Sequence, residues 1–121
     1  MANTTVIRPV GPTLHLVVGT SQHAAVAVPA PGNDQCNYAA FTNSGTADVL
    51  VVIAPYAATP ATPTITIPAD GASAPTGTYM LGASMPSPIV LAIPPNGFCV
   101  SAIATSGASN DLWITPVGDQ S

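Results

Sequence analysis

Residues 94–118, PPNGFCVSAIATSGASNDLWITPVG, are the stretch that decides the fold. Residues 98–104 alternate in the period-two manner of a strand, with Phe98, Val100, Ala102 and Ala104 on one face and Cys99, Ser101 and Ile103 on the other. A small polar loop, SGASN, separates this run from a second β-prone run, LWIT, which we expect Pro116 to end. The spacing predicts an antiparallel hairpin. A hairpin this apolar is unstable alone and must form one layer of a larger β core.

Working outward, short runs with strand character recur between turns rich in Gly and Pro. They are residues 4–8, 14–18, 24–28, 35–43, 49–54, 64–67, 78–81 and 89–93. No segment has helical spacing over ten or more residues. The pattern predicts an all-β, single-domain antiparallel β-sandwich of about eight to ten short strands, either jelly-roll or Ig-like. Residues 1–12 are an N-terminal arm or edge strand, and residues 13–121 are the sandwich.

Individual segments carry more specific expectations. The very apolar residues 49–54 predict a central strand covered on both faces. Residues 64–67 (TITI) alternate, which predicts a strand with one face exposed to solvent. Residues 43–45 (NSG) predict a tight turn, since Asn and Gly accept positive φ, and residues 68–71 (PADG) predict a turn with Asp-Gly chemistry. Residues 55–63, rich in Ala, Thr and Pro, predict an exposed extended loop that protrudes from the domain.

The two phenylalanines and the two cysteines also have expected places. Phe41 and Phe98 are expected to fill the core. Cys36 and Cys99 lie in apolar, strand-like contexts, where a free thiol behaves as a small hydrophobe. A disulfide that joins them remains the alternative, which only geometry decides.

The composition is most unusual in its charge. Only 5% of the residues are charged, against about 25% in ordinary soluble domains. The chain has no Lys and no Glu, and Arg8 is its one fixed cation against five Asp. A surface with so little charge gives weak protection against association, which favours a role in an assembly. The net charge of −4 and the single Arg argue against nucleic-acid binding and against anionic membranes.

Targeting signals are not evident in the sequence. Residues 1–10 lack a basic segment followed by an apolar one, so we expect synthesis in a cytoplasm. The longest apolar run, residues 49–54, is too short to cross a bilayer.

Catalytic and metal-binding patterns are weak. The nearest approach to a G-x-S-x-G elbow, residues 82–86 (GASMP), lacks the second glycine. The Asp residues sit beside Asn, Gly or Ala at apparent turns, so they are expected to form turns rather than a catalytic pair. His15, His23, Cys36 and Cys99 have no zinc spacing, and no His follows Cys99 as a blue-copper site requires. We expect no enzyme activity, no catalytic residue, no metal and no cofactor.

Two passages resemble a group of small virion proteins of tailed bacteriophages. The first is residues 41–51 (FTNSGTADVLV), which is similar to that group's strand, N-x-G turn and strand. The second is residues 100–107 (VSAIATSG) followed by residues 112–118 (LWITPVG), although Val117 here separates the Pro and Gly that are adjacent in the group. The resemblance implies a virion β-sandwich protein, in some members a head decoration or cement protein.

The expected function is therefore a capsid decoration protein that stabilises the phage head by binding between major capsid subunits. Its expected partners are the major capsid protein, copies of itself, or both, as a homo-oligomer (dimer or trimer) on the capsid surface, after synthesis in the bacterial cytoplasm. The alternatives are a phage fibre or receptor-binding module that recognises a host surface, and a secreted non-viral sandwich domain.

The candidate partner contacts fall in an arm that could add a strand to a neighbour's edge, and at two aromatic side chains. They are Thr4, Thr5, Val6, Ile7, Arg8, Pro9, Tyr56 and Trp113. For Trp113, packing in the core of the sandwich remains an alternative.

Overall fold

The computed structural model describes residues 7–29, 37–94 and 96–119. Within these ranges the regular structure is entirely β, in nine strands. The strands are β1 (Ile7–Pro9), β2 (Leu14–Val18), β3 (Val26–Pro29), β4 (Tyr38–Asn43), β5 (Val49–Pro55), β6 (Thr78–Leu81), β7 (Ile89–Ala92), β8 (Gly97–Ala104) and β9 (Asn110–Asp119). The predicted run at residues 4–8 contributes β1 through its last two residues, while Thr4, Thr5 and Val6 lie outside the described residues.

The strands form two antiparallel sheets. The first sheet has the order β1-β9-β4-β7, and β2 pairs with β9 further along the strand. The second sheet has the order β3-β8-β5-β6. Since β1 and β2 pair with successive parts of the same strand, they act together as one edge strand of the first sheet.

The pairing order distinguishes between the two expected sandwich types. The first edge strand pairs with β9, β3 with β8, β4 with β7 and β5 with β6. With β1 and β2 counted as one strand, the first strand pairs with the last, the second with the second-to-last, and so on to the middle of the chain. The chain is therefore an antiparallel ribbon of eight strands wrapped into two sheets, as in a jelly roll. The β-sandwich prediction is confirmed, and the topology is the jelly roll rather than the Ig-like arrangement.

The predicted hairpin at residues 98–115 is wrong, because β8 and β9 belong to different sheets. The inward face predicted for β8 is confirmed, because Phe98 and Val100 lie in one core together with Leu112 and Ile114 of β9. Their apolar faces meet across the sandwich instead of lying side by side. Local periodicity cannot separate these arrangements, because both bury the same face of each strand.

Pro116 does not end the last strand, which continues to Asp119. The Pro116 carbonyl accepts a hydrogen bond from Val10 N at 2.9 Å, on the side of β9 where β1 and β2 pair. In an antiparallel strand the N–H and C=O of one residue point to the same neighbour. The donor that proline lacks would therefore point at the break between β1 and β2, where no ladder bond is lost.

A cluster of apolar side chains forms the core between the sheets. It contains Leu16, Val18, Val28, Ala39, Phe41, Val49, Val51, Leu81, Ile93, Phe98, Val100, Ala102, Ala104, Leu112 and Ile114. Phe41 and Phe98 are fully buried in it, as expected. Residues 64–67 form no strand, which corrects that prediction, although their alternation survives in a buried Ile65 between exposed threonines.

One end of the sandwich is held by Asn110, whose side chain is fully buried. Its Oδ1 accepts a hydrogen bond from Ala47 N at 3.0 Å, and its Nδ2 donates to the carbonyls of Val18 at 3.1 Å and Ser106 at 3.0 Å. One amide thereby connects the end of β2, the β4–β5 turn and the β8–β9 loop. We call Asn110, Asn43 and the backbone groups that they bind the corner network.

Asn43 completes the corner network from the other side of the turn. It is also fully buried, and its Oδ1 accepts a hydrogen bond from Gly45 N at 3.0 Å. Its Nδ2 donates to the carbonyls of Ala47 at 2.8 Å and Gly82 at 3.1 Å. A buried amide that satisfies both its donor and its acceptor in this way avoids the cost of desolvation.

Gly45 is required by close approach rather than by its dihedral angles. None of residues 43–45 has a positive φ, whereas Gly71 in the Asp-Gly turn has φ +82°. A Cβ on Gly45 would lie 2.6 Å from the Asn110 side chain. The turn therefore needs glycine so that its backbone can pack against Asn110.

Replacing Gly45 with Ala is expected to lower the free energy of unfolding by about 1–3 kcal/mol, because the new methyl overlaps the Asn110 side chain. Urea unfolding followed by Trp113 fluorescence measures the change. Gly82→Ala is the control, since a Cβ there meets nothing within 4 Å. Equal unfolding midpoints for the two variants would contradict the role of Gly45.

Candidate functional site

The two outer faces of the sandwich differ, because the chain itself covers the outer face of the second sheet over β5 and β8, while Met80 of β6 stays exposed. The connection from β5 to β6, residues 56–77, places Ile65 against Leu50, Val52 and Ile103 in a second apolar cluster. This confirms that β5 is covered on both faces. It also corrects the view of residues 55–63 as a protruding loop: residues 56–59 are exposed, but residues 62 and 63 bind the domain.

Gln22 fastens this covering segment to the sheet. Its Oε1 accepts a hydrogen bond from Ile65 N at 3.0 Å, and its Nε2 donates to the Pro63 carbonyl and to Ser101 Oγ, the latter at 2.8 Å. Ser101 Oγ in turn donates to the His23 carbonyl at 2.6 Å. Because Gln22 bonds the backbone of the segment directly, it positions Ile65 over the sheet.

The outer face of the first sheet keeps its large apolar side chains exposed. We define the open face as the outward set of β2, β9, β4 and β7, which includes the exposed Val17, Tyr38, Val90 and Trp113. These side chains share one sheet face with polar groups such as His15 and Asp111, and exposed aromatic side chains on such a face make it a candidate surface for binding a partner. The open face is the main candidate functional site.

Trp113, the only tryptophan, is held in place on the open face. Its ring stacks on His15 with centroids 4.1 Å apart and planes 11° apart, and its Nε1 donates to Ser44 Oγ at 3.0 Å. His15 Nε2 lies 2.8 Å from Asp111 Oδ1, so the carboxylate accepts its hydrogen bond. Trp113 is 38% exposed, so it does not pack in the core and its side chain is accessible to a partner.

A second feature lies where the sandwich is open at its side. Strands β6 and β7 are the outermost strands of their sheets, and between them runs a groove of about 400 Å³ that we call the edge groove. Its lining residues are Ile53, Ala54, Pro55, Gly77, Thr78, Tyr79, Leu91, Ala92, Ile93 and Pro94, none of which is an Asp, Glu, Lys, Arg or His. Tyr79 is on the inward set of β6, yet it is 44% exposed because it stands in this opening.

The structure does not gather the sequence-predicted contacts into one patch. Ile7–Pro9 pair with the end of β9 in the first sheet, and Arg8 and Pro9 are exposed there. Trp113 lies in the middle of β9 on the open face, whereas the exposed Tyr56 follows β5 of the second sheet. Sequence reasoning missed His15, Asp111 and Ser44 as partners of Trp113, since the spacing along the chain carries no sign of their meeting.

Cys99 is a free, buried thiol that lies 3.3 Å from Ala57 N, which confirms the expected free state for this residue. Cys36 lies outside the described residues. Within the described ranges no three His, Cys, Asp or Glu side chains are grouped to hold a metal ion. The same ranges contain no helix long and apolar enough to cross a membrane.

No protein-family model matches the chain, and neither a curated protein nor a solved structure shows significant similarity to it. Function is therefore inferred from the chemistry of the open face and the edge groove, together with the resemblance of residues 41–51 and of the closing strands to small virion proteins.

Replacing Gln22 with Ala is expected to release the covering segment, because three hydrogen bonds to it and to Ser101 are lost. The exposed second cluster should bind the dye ANS, and the free energy of unfolding should fall by about 1–3 kcal/mol. Thr64→Ala, an exposed side chain in the same segment, is the control. Unchanged amide exchange in residues 62–67 of the Gln22 variant would refute the anchoring role.

Proposed function

We propose that this chain is a structural virion protein that decorates a bacteriophage head and stabilises it by binding between major capsid subunits. The observation that carries the proposal is the open face, with Trp113, Val17, Tyr38 and Val90 exposed on a chain with 5% charged residues. The phage assignment itself comes from the resemblance of residues 41–51 and of the closing strands to small virion proteins. Jelly rolls also occur in viral capsid domains, which agrees with the proposal at the level of fold.

The mechanism is the burial of apolar surface on the capsid. A standard interface buries about 800 Å² on each partner, and burial contributes about 25 cal/mol per Å² before the costs of association. Because a head offers many equivalent sites, even a moderate affinity per copy stabilises the shell when many copies bind. Binding that depends on apolar and hydroxyl contacts should respond little to salt, since few charges are screened.

The proposal predicts that the purified chain binds heads of the phage that encodes it, prepared without the protein, in hundreds of copies per particle. Trp113→Ala should weaken binding at least tenfold, because truncating an aromatic anchor costs about 2 kcal/mol or more. Thr66→Ala, on the covering segment, is the matched control. Co-sedimentation at low and high NaCl measures both effects, and heads that bind no protein would overturn the proposal.

A second candidate is a fibre or receptor-binding module, which the cluster of Trp113, His15 and Asp111 favours. A rigidly held indole beside a carboxylate and an imidazole offers a stacking surface and hydrogen-bonding groups to a sugar ring. Jelly rolls also occur in lectins. Under this candidate the particle carries a few to tens of copies rather than hundreds.

The two candidates separate when the gene is deleted. Loss of a decoration protein should leave adsorption intact and make heads sensitive to heat. Loss of a receptor-binding module should leave heads stable and abolish adsorption. Host surface polysaccharide should quench or shift Trp113 fluorescence only under the second candidate. Heat-sensitive heads with normal adsorption would eliminate it.

A further inference from the structure

We propose that residues 1–6 of one copy bind as a strand in the edge groove of a second copy, so that copies associate head to tail. The inference rests on the proposed function, in that it identifies copies of the chain as one of the partners in the assembly. It concerns a different surface from the open face, and it can fail while the open face still binds a shell.

The edges of the two sheets are protected unequally. On one side of the sandwich β1 carries Arg8 and Pro9 and β3 ends at Pro29, although β2 (LHLVV) on that side has neither a proline nor a fixed charge. On the other side β6 (TYML) and β7 (IVLA) contain neither a charged residue nor a proline. Proteins usually blunt exposed edge strands with such residues, because an unprotected edge pairs with other chains. The bare pair β6 and β7 therefore marks the side of the sandwich that a partner covers.

The edge groove suits an extended apolar strand. Between the bare edges, Ile53, Leu91 and Ile93 form a floor continuous with the main core. Tyr79 points inward from β6 but is exposed, so a guest strand would bury it. A strand added to an edge forms backbone hydrogen bonds with that edge, and its side chains pack into the groove.

Residues 1–6, MANTTV, have the matching chemistry and length. They carry no charged side chain, so their entry into the groove places no ionised side chain in apolar surroundings. Six extended residues span about 20 Å, against about 13 Å for the four residues of β6 or of β7. The arm is thus long enough to pair along a whole edge.

The position of β1 makes a neighbouring copy the host. The arm joins the described chain at Ile7, on the edge of the first sheet opposite β7. Its own groove lies three strand spacings away, about 14 Å, beyond β9, β4 and β7. A neighbour's groove can take the full arm. Because the donor and acceptor surfaces differ, the contact is heterologous and continues into a ring or a chain of copies.

The test is the mass of the full chain in solution by light scattering at several concentrations. Wild type should be larger than the 12.0 kDa monomer, and deletion of residues 2–6 should give a monomer. Tyr79→Lys, which puts a charge in the groove, should also give a monomer. Met80→Lys is the matched control, since Met80 is a similarly exposed side chain of β6 that points to the outer face and does not line the groove. Thermal unfolding verifies that each variant is folded.

Mixing the two monomeric variants is the decisive step. The deleted variant keeps an intact groove and the Tyr79→Lys variant keeps an intact arm, so the mixture should form a one-to-one heterodimer and stop there. A monomeric wild type, an oligomeric deletion variant, or a mixture that stays monomeric would each overturn the inference. Should Tyr79→Lys fail to fold, Thr78→Lys takes its place in the mixture. Binding of the deletion variant to phage heads tests the proposed function separately.

Discussion

The buried side chain of Asn110 is the constraint on which the arrangement of the two sheets depends. In this fold nearly every connection passes from one sheet to the other, so the ends of the sandwich must hold several crossings together. Asn110 binds backbone groups of three of them, and Gly45 exists as glycine so that the turn can reach it. A polar residue buried with all its hydrogen bonds made specifies one arrangement, because each alternative leaves it unsatisfied.

The same topology explains why the two outer faces of the sandwich are covered to different extents. The ribbon has one long connection, between β5 and β6, and Gln22 fastens it over the second sheet. The first sheet has no comparable connection among the described residues, and its outward side chains stay exposed. The topology thus decides which face stays uncovered, and the proposed function assigns the binding of the shell to that face.

A chain with 5% charged residues offers few ionic contacts, so any association under the proposed function must gain specificity in other ways. An apolar face binds through shape and area, and a strand edge binds through a fixed pattern of backbone hydrogen bonds. The open face is a surface of the first kind and the edge groove contains strand edges of the second kind, and the two lie on different sides of the molecule. A protein that must bind both a shell and its own copies needs two such separate surfaces, and the proposed roles assign one to each.

Much of the fold could be predicted from the sequence. Period-two alternation placed most strands within one or two residues, identified β5 as covered on both faces, and assigned the inward set of β8, because burial of alternate residues leaves a direct mark on the sequence. The strand that was wrongly predicted at residues 64–67 has a physical explanation. The run at residues 64–67 alternates because Ile65 is buried, but the segment lies over a sheet instead of joining it.

What alternation does not record is which strand lies beside which. The hairpin expected between β8 and β9 is a crossing between sheets, and Pro116 falls where a gap in pairing tolerates it. Trp113 was recognisable as a candidate, yet its contacts with His15, Ser44 and Asp111 join residues far apart in sequence. The sequence by itself determined the strands and their buried faces, since these depend on local periodicity. Only the tertiary structure decided the jelly-roll order, the open face and the edge groove, since these depend on long-range pairing.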